Sequence, residues 1–417
     1  MSTFDIPLLS SLLDASPTSR HVVDNARGIL ANEGFAEWSG VDTPSTRTLQ
    51  RGFLARAGSL IAWSSLDESK TKSLRLIGAH TDSPGLTLKP GQSSASSGFG
   101  LLNVEVYGGP LLNSWLDRDL LLAGVVVTSA GDSVLFASTS PVARISQLAI
   151  HLDREVNDKG LVLDRQTHLR PTWTTAESSN FLEMIASLAG VRPGEIASWD
   201  CRFADAQTAR VIGGDASMLA SGRLDNQLSC WAAVHALAGA SGPSVIALFD
   251  HEEIGSQSSV GAQSSFLSSV LERLMIAAGL SRQEFLTALS EGHCVSSDNA
   301  HAVHPNYPER HDLNNAPLFN RGIAVKWNTN QRYATSPEAI VPITSAARAS
   351  GQSLQHFSSK NTMPCGTTIG PITASMLGMH TVDIGVPQLS MHSAREVCGV
   401  DDAIRLERLL AAYLARA

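Results

Sequence analysis

The chain has 417 residues, 43% hydrophobic and 17% charged, which exceeds the length at which one core usually keeps growing and points to two domains. Its 31 basic and 39 acidic residues leave a net charge of -8, which excludes an electrostatic footprint for nucleic acid and requires any acidic ligand to be met by a local positive group. Five cysteines, Cys201, Cys230, Cys294, Cys365 and Cys398, show neither CxxC spacing nor even pairing and fit packed thiols in a reducing, cytoplasmic setting.

The opening Met1-Ser-Thr-Phe-Asp-Ile-Pro7 has an acid where a signal peptide needs a base, and no basic residue precedes Arg20, so export by that route is not expected. After Pro17-Thr-Ser19, apolar residues at Val22, Val23, Ala26, Ile29 and Leu30 predict an amphipathic helix that Asn32-Glu-Gly34 stops. Residues 74–79, Leu-Arg-Leu-Ile-Gly-Ala, read as a buried strand delivering His80 and Asp82 at its C-terminal end, the edge where open α/β sheets build sites. On extended backbone, residues i and i+2 point the same way, so Asp82 can hydrogen-bond the His80 ring nitrogen that does not face a metal.

The Gly/Ser-rich stretch Pro90–Gly100 reads as a boundary, and a second falls near Val211-Ile-Gly-Gly-Asp215. Between them lie strand-like runs without the His80 type of chemistry. The longest apolar run, Leu120–Val127, is far short of the roughly 20 residues that span a bilayer and reads as a buried strand, so no membrane association is expected. Residues 91–219 are therefore an insertion between two halves, 1–90 and 220–417, of one catalytic domain.

Asp225 restarts the series ahead of a helical Gln227–Leu237 segment. A second apolar strand, Ser244–Phe249, ends in Asp250-His-Glu-Glu253, and Gly255-Ser-Gln-Ser258 is predicted to begin a helix, which fits a doubly wound layout. Glu252 and Glu253 are adjacent and cannot both point into one spot from extended backbone, so one suits ligation and its neighbour the role of base. Asp298 ends the apolar run Cys294-Val-Ser-Ser297, and His301 shares its face if a helical turn begins there. Asp225 and Asp298 equally suit caps or turns. His392 lies within Gln388–Glu396, and a last helix is predicted with Asp401 as N-cap and Ala403, Leu406, Leu410, Tyr413 and Leu414 as its apolar face. His21, His168, His235 and His356 read as structural.

Two histidines and three carboxylates from separate segments, with a spare glutamate, are what a two-metal hydrolase needs: nitrogen and oxygen donors, one carboxylate shared, and room for a water. A zincin is excluded because position 255, four after His251, is Gly. Neither a G-x-S-x-G elbow around Ser256 or Ser258, nor a P-loop, nor a dinucleotide fingerprint is present.

Taken in order, His80-Thr-Asp82, Gly222-Arg-Leu-Asp-Asn226, Asp250-His-Glu-Glu-Ile-Gly-Ser256, Ser297-Asp-Asn-Ala-His301, Gly322-Ile-Ala-Val-Lys326, Cys365-Gly-Thr-Thr-Ile-Gly-Pro371 and Ser390-Met-His-Ser-Ala-Arg-Glu396 strongly resemble the M18 family of metalloaminopeptidases, which includes the aspartyl aminopeptidases. The resemblance implies an α/β/α sandwich catalytic domain with an inserted, mainly-β dimerisation domain. It implies two divalent ions, commonly Zn²⁺ with Co²⁺ or Mn²⁺ as substitutes: His80 and Asp298 on one, Glu253 and His392 on the other, Asp225 bridging. Glu252 would be the general base, and Asp82 would orient His80.

Lys326, with Tyr333 seven residues later, would meet an acidic substrate side chain, and His301 is read with them as substrate-binding. His151, in His151-Leu-Asp-Arg-Glu-Val-Asn157, matches a histidine that reaches a neighbouring subunit's site, in a homo-oligomer that the resemblance makes a dodecamer built from dimers. The implied activity is removal of an N-terminal residue, Asp or Glu, from peptides with a free amine. Two rivals are a two-metal deacylase, separated by the free-amine requirement, and an inactive scaffold, separated by metal-dependent turnover.

Overall fold

A computed structural model describes residues 4–66, 73–175, 180–240 and 242–415. Its centre is a nine-stranded sheet in the order Ala36–Glu37, Arg51–Arg56, Ser59–Ser64, Ser244–Phe249, Arg75–His80, His293–Ser297, His380–Gly385, Ile323–Trp327, Leu354–Ser358. The four strands Ser244–Phe249, Arg75–His80, His293–Ser297 and His380–Gly385 run parallel, with Phe249 opposite His80 and Ser297 opposite Ile384, so their C-terminal ends form one edge.

All four are covered on both faces, and Arg75–His80 and Ser244–Phe249 are accordingly apolar between their end residues. Ile77, Ile246, Leu248, Val295 and Val382 join a core with helices Ile6–Asp14, Ser19–Asn32, Leu224–Ala238, Ile340–Ser350 and Val400–Leu414. Leu76, Val245, Ala247 and Cys294 join another with helices Phe266–Ala277, Arg282–Ser290 and Ile369–Leu377. The alternation along each strand thus produces the α/β/α sandwich. Helix Leu224–Ala238 is buried along its whole length, and beyond its polar first turn it is apolar on nearly every side, Ser229 and His235 apart.

A second, seven-stranded sheet draws its strands from Gly85 to Asp205. Strand Ile196–Asp205 pairs antiparallel with both Gly85–Ser96 and Asp119–Thr128, so the sheet closes on itself around Leu86, Leu102, Leu120, Leu122, Val126 and Phe203, with helix Phe181–Ala189 packed on that core. A third sheet of five short strands holds Arg210–Ile212, Met218–Ser221, Glu396–Gly399, Pro387–Leu389 and Ala300–His301.

Several local expectations differ from the structure. Pro90–Gly100, read as a boundary, holds the second half of strand Gly85–Ser96 and the turn into Phe99–Tyr107, so the inserted sheet already begins at Gly85. No helix starts at Gly255, because Gly255 (φ 97°) and Ser256 (φ 61°) are left-handed, and the helix begins at Phe266. The last helix starts at Val400 with Gly399 as cap, and Asp401 sits in its first turn. His301 follows Asp298 on a short strand, not a helical turn. Leu120–Val127, by contrast, is buried as expected, covered by residues of the same chain.

Candidate metal centre and active site

Strand ends deliver the donors. His80 closes Arg75–His80, Asp298 follows His293–Ser297, and Glu252 and Glu253 share the 3₁₀ turn Glu252–Ile254 just beyond Ser244–Phe249. Asp225 stands at the start of helix Leu224–Ala238, and His392 on the turn between Pro387–Leu389 and Glu396–Gly399. Arg223 (φ 60°), His251 (φ 69°) and His392 (φ 68°) are left-handed non-glycine residues, the sharp reversals that aim these side chains into one place.

The donors converge on a cleft whose walls also include His301, Lys326, Tyr333, Gly366, Thr367 and Met391. Asp225 occupies its centre. Its Oδ1 lies 3.4 Å from His80 Nε2, and its Oδ2 lies 3.5 Å from His392 Nε2. Each imidazole faces a second carboxylate as well: His80 Nε2 is 3.6 Å from Asp298 Oδ1, and His392 Nε2 is 3.4 Å from Glu253 Oε1. These separations exceed ordinary hydrogen bonds. They match the donor–donor edge of about 3.3–3.4 Å around a tetrahedral ion with bonds of about 2.0–2.1 Å. Asp225 Oδ1 and Glu253 Oε1 are buried with no hydrogen-bond donor, and His80, Asp225 and Glu253 each offer an atom within 4.8 Å of the others. These nitrogen and oxygen donors suit a divalent cation, and His80, Asp225 and Glu253 stand close enough together to share one.

Burial opposes charge here, and neighbours decide the balance. It works against ionised Asp225, but the imidazoles of His392 and His80 hold that carboxyl below its usual range. Burial pushes Glu252 up to about 7, with His80 opposing and Asp298, Asp82 and Asp225 adding to the rise, and it pushes Glu253 well above the carboxylate range. His301 is pulled down to about 4 by burial and by Lys326, and so stays neutral near pH 7.

Asp82 lies beneath the cleft. His80 Nδ1 is nearer the Asp82 carbonyl oxygen, at 3.1 Å, than the Asp82 carboxylate, at 3.5 Å. The carboxylate instead accepts the N–H groups of Glu252 and Glu253, each at 3.1 Å, which sets the turn carrying both glutamates. Lys326 is 2% exposed, with Nζ 3.5 Å from Asp298 Oδ2 and 5.3 Å from the centroid of the Tyr333 ring. His151 is exposed on a turn and is not among the residues lining the cleft. His21, His168, His235 and His356 lie outside it too, engaged with Thr18, Asp164, Phe4 and Trp327 respectively.

Sequence reasoning missed the buried polar groups behind the donors. Glu396 accepts the N–H of Asp225 at 2.9 Å and the N–H of His392 at 2.7 Å, tying the shared carboxylate to one imidazole. Ser83 donates to the Asp225 carbonyl at 2.5 Å, and the Tyr107 hydroxyl donates to Asp82 Oδ2 at 2.7 Å. Asp383 accepts Ala334 N–H and Thr368 Oγ1–H, both at 2.6 Å, and so joins the loops that carry Tyr333 and Thr367. Glu396 alone had a signal, since it closes the motif around His392.

Comparison with known proteins supplies context for this geometry. Residues 12–414 match the family model described as aminopeptidase I zinc metalloprotease (M18). The chain is 43% identical to the "Probable M18 family aminopeptidase 2" of Streptomyces coelicolor over 417 aligned residues, 97% of this chain and 96% of that protein. Its fold is similar to a chain in the cryo-EM structure of the Ape4 and Nbr1 complex, with TM-score 0.93 and 33% identity over 98% of this chain and 85% of that one. It is also similar to the S. cerevisiae mApe1 dodecamer, with TM-score 0.84 and 27% identity over 98% of this chain and 95% of that one.

Proposed function

The chain belongs to the M18 family of zinc metalloaminopeptidases, and on that premise we propose that it uses two divalent ions to remove N-terminal Asp or Glu from peptides. The observation that carries the two-ion reading is Asp225, whose two oxygens face different imidazoles at 3.4 and 3.5 Å. We assign His80 and Asp298 to one ion, Glu253 and His392 to the other, and Asp225 to both. Zinc suits this mixture of imidazole and carboxylate donors, with Co²⁺ or Mn²⁺ as substitutes.

When bound, the ions would supply Lewis acidity to a peptide carbonyl and to a water in the cleft. Glu252, in the cleft wall and held by Asp82 through its backbone N–H, takes the water proton and returns it to the leaving amine. Lys326 supplies the local positive group that a chain of net charge -8 needs for an acidic side chain, with Tyr333 and neutral His301 beside it. A free α-amine faces the carboxylates of the cleft, which makes the reaction an exopeptidase one.

We also assign the inserted sheet a role in self-association, as a dodecamer built from dimers in which His151 reaches a neighbour's cleft. The support is the exposed apolar group around it, Leu148, Ile150, Leu152 and Val162, together with the assembly named for the mApe1 relative. Five free thiols support a cytoplasmic setting, and no helix among the described residues is long and apolar enough to cross a membrane. The test is a panel of aminoacyl chromogenic amides and their N-acylated counterparts with Zn²⁺, Co²⁺ or Mn²⁺ added. Metal-dependent cleavage confined to free-amine Asp and Glu substrates is expected. Preference for N-acyl substrates would overturn the aminopeptidase assignment, and preference for Leu or Ala the acidic one.

A further inference from the structure

We infer that the segment Tyr107–Leu111, where the chain leaves the inserted sheet, is a strut of the metal centre that positions the Glu253–His392 donor pair. This rests on the two-ion reading above. Tyr107 ends strand Phe99–Tyr107 of the seven-stranded sheet, yet its hydroxyl donates to Asp82 Oδ2 at 2.7 Å. The same Oδ2 accepts the N–H of Glu253 at 3.1 Å, and Oδ1 accepts the N–H of Glu252 at 3.1 Å. Tyr107 thus fixes the carboxylate that fixes the turn bearing the base and one metal donor. Its ring is held in turn by Arg202, whose guanidinium carbon lies 4.1 Å from the ring centroid.

The next residues act on the same donor pair directly. Gly108 has φ 67°, and a Cβ there would stand 3.2 Å from Glu253 Cβ and 3.3 Å from the Glu253 carbonyl oxygen, so the strut passes against Glu253 at a distance only glycine accommodates without displacement. The Gly109 carbonyl lies 3.1 Å from His392 Nδ1. That contact selects the tautomer with hydrogen on Nδ1 and leaves Nε2, the atom facing Asp225 and Glu253, as the donor. Leu111 N–H donates to the His392 carbonyl at 2.9 Å, which secures its left-handed backbone. Three contacts, from Gly108, Gly109 and Leu111, therefore reach Glu253 and His392 directly, and Tyr107 reaches Glu253 through Asp82. His80 is served only through Asp82, and no contact of the strut reaches Asp298. The inserted sheet is in this way part of the active site, and a displacement of it acts first on one ion.

The test is equilibrium titration of the full-length protein with Zn²⁺ against a chromophoric chelator, with no turnover involved. Tyr107→Phe keeps the ring and removes the hydroxyl, and Gly108→Ala adds the methyl group facing Glu253. Each should weaken one of two ions by about 10- to 100-fold, the range for groups that orient metal ligands, and leave the other within about twofold. Val104→Ala, on the same strand but in the apolar core of the inserted sheet, should change neither. Unchanged affinities in both strut variants, equal loss of both ions, or the same selective loss in Val104→Ala would each overturn the inference. A wild-type chain that binds a single ion would instead overturn the two-ion reading, an outcome visible before any variant is made.

Discussion

Replacing Lys326 by methionine removes an ammonium that is 2% exposed while keeping most of the volume of its stem. Two unit charges about 4 Å apart at an effective dielectric of about 20 attract by about 4 kcal/mol, which sets the upper bound for a substrate carboxylate seated against it. Asp298 Oδ2, 3.5 Å from Nζ, already shares the ammonium and reduces what the substrate gains. Charge-assisted hydrogen bonds contribute roughly 1.5–3 kcal/mol net, so a loss of about 3 kcal/mol is expected, or about 10²-fold in kcat/KM for Asp and Glu substrates. A leucyl substrate lacks the partner and should change by no more than about threefold.

The assay compares kcat/KM for aspartyl, glutamyl and leucyl chromogenic amides, with metal content measured on the same samples, because Asp298 is also a proposed metal donor. If the acidic and leucyl substrates decline together with both ions retained, Lys326 does not read the side chain and the selectivity argument is refuted. If they decline together because one ion is lost, Lys326 acts by positioning Asp298, and the selectivity argument is again wrong.

Glu252→Gln should retain both ions while kcat drops by roughly 10²-fold or more, since only proton transfer is removed; loss of one metal equivalent would make Glu252 a ligand. Asp225→Ala should weaken both ions, whereas His80→Ala should mainly weaken one, and equal single-ion losses in the two variants would remove Asp225 from its bridging position. Stripping the ions with a chelator should abolish turnover and lower Tm, because a ligand at about 100 Kd stabilises the folded chain by about 2.7 kcal/mol; an unchanged Tm would mean the ions are not bound to the folded site. Mixing His151→Ala with Glu252→Gln after dissociation and reassembly should restore part of the activity, and no recovery in a demonstrably mixed oligomer would mean that each cleft is complete within one chain.

Two neighbouring strands of the central sheet, Arg75–His80 and Ser244–Phe249, were legible because both of their faces are buried. Leu76 and Ile77, or Val245 and Ile246, pack into opposite cores, so each of these two strands is an apolar run; the first ends in the proposed donor His80, and the second runs into Asp250, two residues ahead of Glu252. Chain reversals were not legible. Ser256 takes a left-handed conformation that no residue preference announces, and the helix expected at Gly255 is displaced to Phe266. The five-stranded sheet escaped notice for another reason: its strands of two to four residues are too short for alternation to register, although they carry His301 and Glu396 and flank His392.

Donors and their supports differ in the same way. The proposed donors His80, Asp225, Glu253, Asp298 and His392 would act through the chemistry of their side chains, and residue type at a strand end or turn is visible in a sequence. Tyr107 and Glu396 act by accepting or donating to groups brought near only by folding: an Asp82 oxygen in one case, the N–H groups of Asp225 and His392 in the other. A backbone N–H carries no residue identity, so a carboxylate that holds one leaves no partner type to search for. Glu396 nevertheless fixes the relation between the shared carboxylate and one imidazole, and an error of about 1 Å in such a relation is enough to cost about 10²-fold in rate. The residues that set the accuracy of this site are therefore the ones whose identity says least about it, and they are where variants that keep every proposed ligand should still lose activity.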